Sequence, residues 1–261
     1  MLISYKKKFI FMHSRKTAGS SITVLLNKNI GPKDIQIGSW IDSLKSGGMY
    51  NQKAIAIASH EIINILRKSL KLSFHKKKMV LDHHYINYFI KKYAEKKYGL
   101  KNGGHCTAKE VKNFAGKYWA EYFKFAFVRN PWDHAVSDFH WQTKSRKCNS
   151  VNFKEFLYRL EDPKRDDKEK LRPPIITNWS IYTINDSIAV DFLGRYENLV
   201  EDLNKIGDKI GVNLNIKDVR SKSGIRPPKK RLIDHYDEET IELVRKIYKK
   251  EIEEFGYELP F

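Results

Sequence analysis

Cysteine is scarce in this chain: Cys106 and Cys148 are the only two among 261 residues. Two cysteines build neither a disulfide framework nor a zinc site by themselves, which predicts a reducing compartment. The 8 prolines and 14 glycines are too few for a fibrous or linker-dominated chain. No apolar run reaches the ~18 residues that a membrane-spanning helix needs. The basic cluster Lys6-Lys7-Lys8 precedes only a handful of apolar residues, fewer than a signal peptide's apolar region requires. These absences predict a cytoplasmic protein with no membrane span. Acidic residues are also short, 31 against 49 basic ones, so the net charge is +18.

Hydrophobic residues make up 41% of the chain, enough for a core, and wholesale disorder is excluded. We read residues 1–261 as a single domain. A charge of +18 attracts anions: nucleic acid, an acidic membrane, an anionic polysaccharide or a phosphorylated small molecule. A solvated lysine surface accounts for runs such as Lys76-Lys77-Lys78 and Lys229-Lys230-Arg231 equally well.

Lys8-Phe9-Ile10-Phe11-Met12-His13 is short, apolar and β-prone, like a buried parallel strand. A small polar turn, residues 14–21, leads from it into a helix beginning near Ile22. Residues 30–53 read as loop, and 54–72 are ambiguous between strand and helix. Residues 83–98 have a helical period. Thr107-Ala108-Lys109-Glu110 has the form of a capping box opening a helix through about Ala115. Residues 122–129 form the clearest strand, and Asn130-Pro131 starts the next helix. Residues 144–175, with Pro163, Pro173 and Pro174, read as an excursion rather than core. A third strand is expected over 188–195, a helix over 197–210, a basic loop over 213–234 and a closing helix over 237–255. Alternating strands and helices predict an α/β fold with a central, mainly parallel sheet flanked by helices.

The turn Arg15-Lys16-Thr17-Ala18-Gly19-Ser20-Ser21 is built to hold an anion. Small residues let backbone N–H groups curl round a phosphate, and the helix start adds partial positive charge. Lys16 supplies a full charge, and Thr17, Ser20 and Ser21 supply hydroxyls. The segment departs from the G-x-x-x-x-G-K-[ST] loop, because its lysine precedes the glycine. The plainer alternative is a serine-rich helix start with an incidental lysine. A nucleotide triphosphatase usually ends a second strand in Asp to hold Mg²⁺. Here Phe125-Ala126-Phe127-Val128 ends in Arg129, a ligand for anions, with Ser137 eight residues on. Arg129 and Ser137 could converge on one phosphate, separate from that at Lys16; alternatively, Arg129 pairs with Asp133 or Asp138. The first version describes a ligand with two anionic ends and no need of a metal.

Together, residues 9–21 and 125–137 resemble the 5′-phosphosulfate loop and 3′-phosphate motif of the sulfotransferases that use 3′-phosphoadenosine 5′-phosphosulfate. Gly194-Arg195-Tyr196-Glu197-Asn198-Leu199 is similar to a third, more structural block. The Lys-Thr-Ala-Gly of this loop resembles the carbohydrate branch, including heparan sulfate 2-O-sulfotransferases, more than the phenol enzymes. The likeness runs from about residue 8 to the C-terminus and is vague over 30–100 and 144–185, the segments expected to shape the acceptor side. It implies a P-loop-like three-layer fold and transfer of a sulfuryl group to a hydroxyl, here of a saccharide or glycan. It assigns donor binding to residues 15–21, Arg129 and Ser137, with Lys16 neutralising the leaving phosphate. Ser223 and Arg226, in the basic loop over 220–226, match the region that closes over the 3′-phosphate in relatives. Secretory members carry an N-terminal anchor; this chain begins near its first strand, which fits a bacterial-type soluble enzyme.

The acceptor hydroxyl needs a general base, and histidine suits neutral pH. His105 follows the Gly103-Gly104 break and precedes a capped helix, a loop position held by a rigid element. The resemblance makes it the base. The alternatives are that His105 only caps its helix, or that His13 serves. Trp132, Trp141 and Trp179 are candidates to stack on adenine or sugar but equally for the core. Two rival functions remain open at this point: a P-loop-type kinase, and a non-enzymatic binder of nucleic acid or anionic glycan, although no specific nucleic-acid signature is present.

Overall fold

A computed structural model describes residues 1–69, 83–215 and 231–261. Its centre is two phenylalanine-rich strands, β2 (Phe9–Phe11) and β4 (Phe123–Val128), paired in parallel with Phe9 opposite Phe123 and Phe11 opposite Phe125. Side chains alternate across a strand. Phe9, Phe11, Phe125 and Phe127 therefore enter one apolar cluster, and Ile10, Met12, Ala126 and Val128 the other. Both clusters exclude water, so both faces of the sheet need helical cover, as parallel strands require. Helix α1 (Gly19–Asn27) brings Ile22, Leu25 and Leu26 to the first face, joined by Leu203 and Ile206 of α10 (Leu199–Ile210). The other face is covered by α5 (Ala108–Ala115), α7 (Pro131–Arg146), α8 (Phe153–Glu161) and α11 (Glu238–Ile247).

Strand β7 (Phe192–Arg195) lies parallel to β4 on one side. On the other side, β1 (Leu2–Ser4) runs antiparallel to both β2 and β3 (Ile35–Gln36). The order is β3-β1-β2-β4-β7, and four of the five strands point the same way. This is the expected α/β class with a central, mostly parallel sheet between helices.

Several boundaries differ from the sequence reading. Strand β1 precedes the expected first strand, and residues 30–53 hold β3 and α2 (Trp40–Lys45) rather than loop alone. The ambiguous stretch is helical, α3 (Gln52–Ser69), and it packs on α4 (His83–Tyr98). A short α6 (Lys117–Glu121) follows α5. The region 144–175 is not only an excursion, because Phe156 and Leu157 of α8 are fully buried. The strand expected over 188–195 is shorter, β7, and Ile188 instead ends a hairpin of β5 (Thr183–Ile184) and β6 (Ser187–Ile188), which follows α9 (Trp179–Tyr182). The closing helix is two, α11 and α12 (Lys249–Phe255). The capping box forms as expected: Glu110 N–H donates to the Thr107 hydroxyl at 3.3 Å, and Thr107 N–H to Glu110 at 2.8 Å. Most of the basic loop over 213–234, with Ser223 and Arg226, lies outside the described residues.

Candidate active site

The ladder between β2 and β4 runs one bond past β2, where Met12 N–H donates to the Phe125 carbonyl at 2.8 Å. The chain then turns sharply into α1. Two non-glycine residues of the turn are left-handed, Lys16 at φ 61° and Ala18 at φ 61°. Such conformations cost about 1–3 kcal/mol each and persist where surrounding contacts impose them. Those contacts are present. Asn178 grips both backbone groups of Arg15, accepting from its N–H at 2.8 Å and donating to its carbonyl at 3.0 Å. The Arg15 guanidinium turns inward to fully buried Asp138 at 2.5 Å and to the Ile175 carbonyl at 2.5 Å. The Thr17 hydroxyl also points inward, to the Ser14 carbonyl at 3.2 Å.

Ala18 offers no side-chain acceptor at the N-cap, so α1 starts without a side-chain cap. The N–H groups at such a helix start carry partial positive charge. Gly19 opens the helix against His13, and a Cβ there would fall 2.0 Å from the imidazole. Ser20 and Ser21 occupy the first turn, and the Ser39 hydroxyl donates to that of Ser20 at 3.4 Å. Lys16, half-buried, extends its ammonium over the Trp141 ring, 4.9 Å from the centroid.

Arg129 joins this loop to α7. One guanidinium nitrogen donates to the Lys16 carbonyl at 2.6 Å and to the Ser137 hydroxyl at 3.2 Å. The other side binds Asp133 at 2.6 and 2.7 Å, and the guanidinium carbon lies over the Tyr196 ring, 3.9 Å from its centroid. Of the arrangements open from the sequence, the pairing of Arg129 with Asp133 is present, and the Arg129 guanidinium also touches Ser137. Asp138 is taken by Arg15.

His105 projects from the turn after Gly104, which packs so tightly that a Cβ would meet the Ile37 carbonyl at 2.8 Å. Its Nδ1 lies 2.8 Å from the His13 carbonyl. A carbonyl only accepts, so Nδ1 carries the proton and Nε2 keeps its lone pair. The two imidazoles meet edge-on, 4.6 Å between centroids. Burial pushes the His105 pKa down to about 3; the bond to His13 opposes that shift, and the Arg15 charge adds to it. The ring is therefore neutral at physiological pH. The helix that follows is capped by Thr107, not by His105.

A family model described as "Sulfotransferase family" matches residues 1–258. The chain belongs to the sulfotransferase family. Its class of reaction is thus transfer of sulfuryl groups. An uncharacterized protein of Archaeoglobus fulgidus is 31% identical over 109 residues, 39% of this chain and 79% of that protein. No solved structure matches the chain.

In this sulfotransferase the third sequence block ties the end of β7 to the start of α7 and to the end of α12. Glu197 accepts from Asn130 N–H at 2.6 Å, and Arg195 donates to the Phe255 carbonyl at 2.9 Å. Sequence reasoning did not identify Asp138 and Asn178 as holders of the loop, or Tyr196 as the platform under Arg129, and it left Trp141 undecided. Trp141 lies four residues after Ser137, on the same face of α7, which is a usable signal; Asp138, the residue next to Ser137, faces elsewhere. Asn178 carries none, since its partner is distant in sequence. Among the described residues, no group of three or more His, Cys, Asp or Glu is placed to hold a metal ion, and no helix is long and apolar enough to cross a membrane.

Proposed function

We propose that this sulfotransferase takes 3′-phosphoadenosine 5′-phosphosulfate as donor and a carbohydrate hydroxyl as acceptor. The observation that carries the reading is the Arg129 guanidinium, which touches both the carbonyl of Lys16 and the hydroxyl of Ser137. That contact brings the Lys16 turn and the Arg129–Ser137 pair into one site, which suits a nucleotide with two anionic ends. The strand–turn–helix at β2 and α1 is P-loop-like in layout, with the helix N-terminus facing the 5′ end and Arg129 with Ser137 the 3′ end. Residues 16–21 bind through backbone N–H groups, and Ser20 and Ser21 through hydroxyls as well. Arg15 serves indirectly, by fixing the turn from inside.

The donor supplies an activated sulfuryl group bonded to phosphate. Lys16 neutralises the charge that grows on the phosphate oxygen as that bond breaks, and preorganised electrostatics of this kind is usually the largest catalytic effect. His105 takes the acceptor's proton on Nε2 while the new S–O bond forms. Its Nδ1–H bond to the His13 carbonyl fixes the ring's tautomer and orientation. Residues 1–261 act as a single catalytic domain, with segments 30–100 and 144–185 shaping the acceptor side. The carbohydrate acceptor is supported by the character of the Lys16–Gly19 loop and by the +18 charge, which suits an anionic oligosaccharide. Incubation with radiolabelled donor and a panel of glycans tests the reading. Label is expected in a saccharide with wild type and not with Lys16→Ala; label reaching no glycan, or reaching one equally with the variant, contradicts it.

A further inference from the structure

Strand β2 continues into a row of rings. Side chains alternate across a strand, so Phe9, Phe11 and His13 point to the face that α1 covers. The row is held firmly. Met12, between the last two, is pinned to β4 by its N–H bond to the Phe125 carbonyl at 2.8 Å. The His13 ring stacks on Phe11, 5.7 Å between centroids and 21° between planes. Two further neighbours close on the same imidazole. One is the first residue of α1: a Cβ on Gly19 would fall 2.0 Å from His13 Cδ2 and 2.2 Å from Nε2, so the helix backbone rests on the ring. Gly19 is not among the left-handed residues, so glycine is required there by the approach of the ring and not by its own backbone. The other neighbour is His105, whose ring meets that of His13 at 4.6 Å and 67°. Its Nδ1 also donates to the His13 carbonyl at 2.8 Å. A single hydrogen bond fixes one atom of an imidazole and lets the ring swing about that bond. A second ring packed edge-on against it removes the swing.

We propose that the His13 imidazole is the positioning residue for His105: braced against Gly19, it sets the plane of the His105 ring and shields the ring beside the carbonyl bond. The inference rests on His105 being the base, as read above. It gives the start of α1 and the base a common support, because a side chain at position 19 would displace the ring on which both lean. The charged and titratable groups that face His105 are His13 and Arg15 from the turn after β2, Lys91 from α4 and the Met1 amine. Arg15, Lys91 and the amine all oppose a positive charge on the ring, and the His13 carbonyl favours one. Substitution to alanine at 13 or 19 leaves these four groups in the chain, so a change in the titration of His105 reports the shielding by the His13 ring.

The test is a double-mutant cycle of His13→Ala and Gly19→Ala, read by NMR titration of histidine-labelled protein without donor or acceptor; the His105 signal is the one missing in His105→Gln. In wild type His105 should remain neutral at pH 5. His13→Ala should raise its midpoint by about one to two pH units. Gly19→Ala should shift the midpoint when His13 is present, and by less than about 0.3 unit when it is combined with His13→Ala. A midpoint unchanged in His13→Ala, or a Gly19→Ala shift of equal size in both backgrounds, overturns the inference. Should Gly19→Ala fail to fold, His13→Ala decides alone. With donor and acceptor present, the acid limb of kcat/KM should rise with the NMR midpoint in His13→Ala. A limb that stays in place while the midpoint moves contradicts His105 as the base and leaves the packing role of His13 standing, so the two failures are told apart.

Discussion

The Lys16 carbonyl is held by Arg129 while its ammonium lies over Trp141, so Lys16→Ala keeps the first contact and deletes the second. Turnover should fall by about 10²–10³, with stability within about 0.5 kcal/mol of wild type. A variant retaining more than half the wild-type rate would remove the role assigned to this lysine. His105 makes a different prediction. Its ring stays neutral down to about pH 3 in the free protein, and only the neutral ring accepts a proton. The pH profile of kcat/KM should therefore show no loss from His105 between pH 7 and pH 5. Bound anions stabilise imidazolium, so the acid limb of kcat should lie at higher pH than that of kcat/KM. An acid limb of kcat/KM near the ordinary histidine value would contradict the half-buried, carbonyl-bound geometry. Residues such as Lys16, Arg129 and Ser137 were legible in the sequence because each belongs to one contiguous strand–turn–helix unit. Trp141 was undecided because its spacing on α7 suits a core residue and a site residue alike.

Elements hold the turn between β2 and α1 from three sides, and the segment before α9 does the least visible part. Asn178 satisfies both backbone polar groups of Arg15. Truncation to Ala leaves these buried groups without partners, at a cost of about 1–3 kcal/mol each. Asn178→Ala should lower the melting temperature and nucleotide affinity together. A variant with normal stability and affinity would show that the turn holds itself. Gly19→Ala should be worse tolerated than most helix-start substitutions, because its Cβ would overlap the His13 ring at 2.0 Å. None of this clamp is readable from pattern, since residues 15 and 178 meet only in the folded chain. Strands β1 and β3, with three and two residues, are too short to show a period. Helix α8 was obscured by the prolines downstream of it, although Phe153, Phe156, Leu157 and Leu160 carry the helical spacing of a core face.

Across the whole molecule, proton binding links stability to the elements that brace the site. Burial pushes the Glu251 carboxyl, on α12, up to about 7, against hydrogen bonds from Thr177 and from the backbone at Asn178 and Trp179. Its folded pKa thus exceeds the unfolded value of 4.5. The stability it contributes is complete below pH 4.5, falls as pH rises to 7, and changes no further above that. Glu251→Gln should be the more stable protein at pH 8, by up to about 3 kcal/mol, and its difference from wild type should shift by the same amount between pH 8 and pH 4. Denaturant unfolding at both pH values checks this; an identical difference at the two contradicts it. The alternation of strands and helices made the layered α/β architecture legible, whereas the convergence of α7, α9 and α12 behind one turn depends on packing. The central claim is that Lys16 and Arg129 grip opposite ends of one nucleotide. Calorimetric titration with 3′-phosphoadenosine 5′-phosphate, without added metal, tests it most directly. The account predicts one-to-one binding by wild type and a loss of about 10- to 100-fold in Arg129→Ala, from charge-assisted hydrogen bonds removed; no binding by wild type, or equal affinity in the variant, would contradict it.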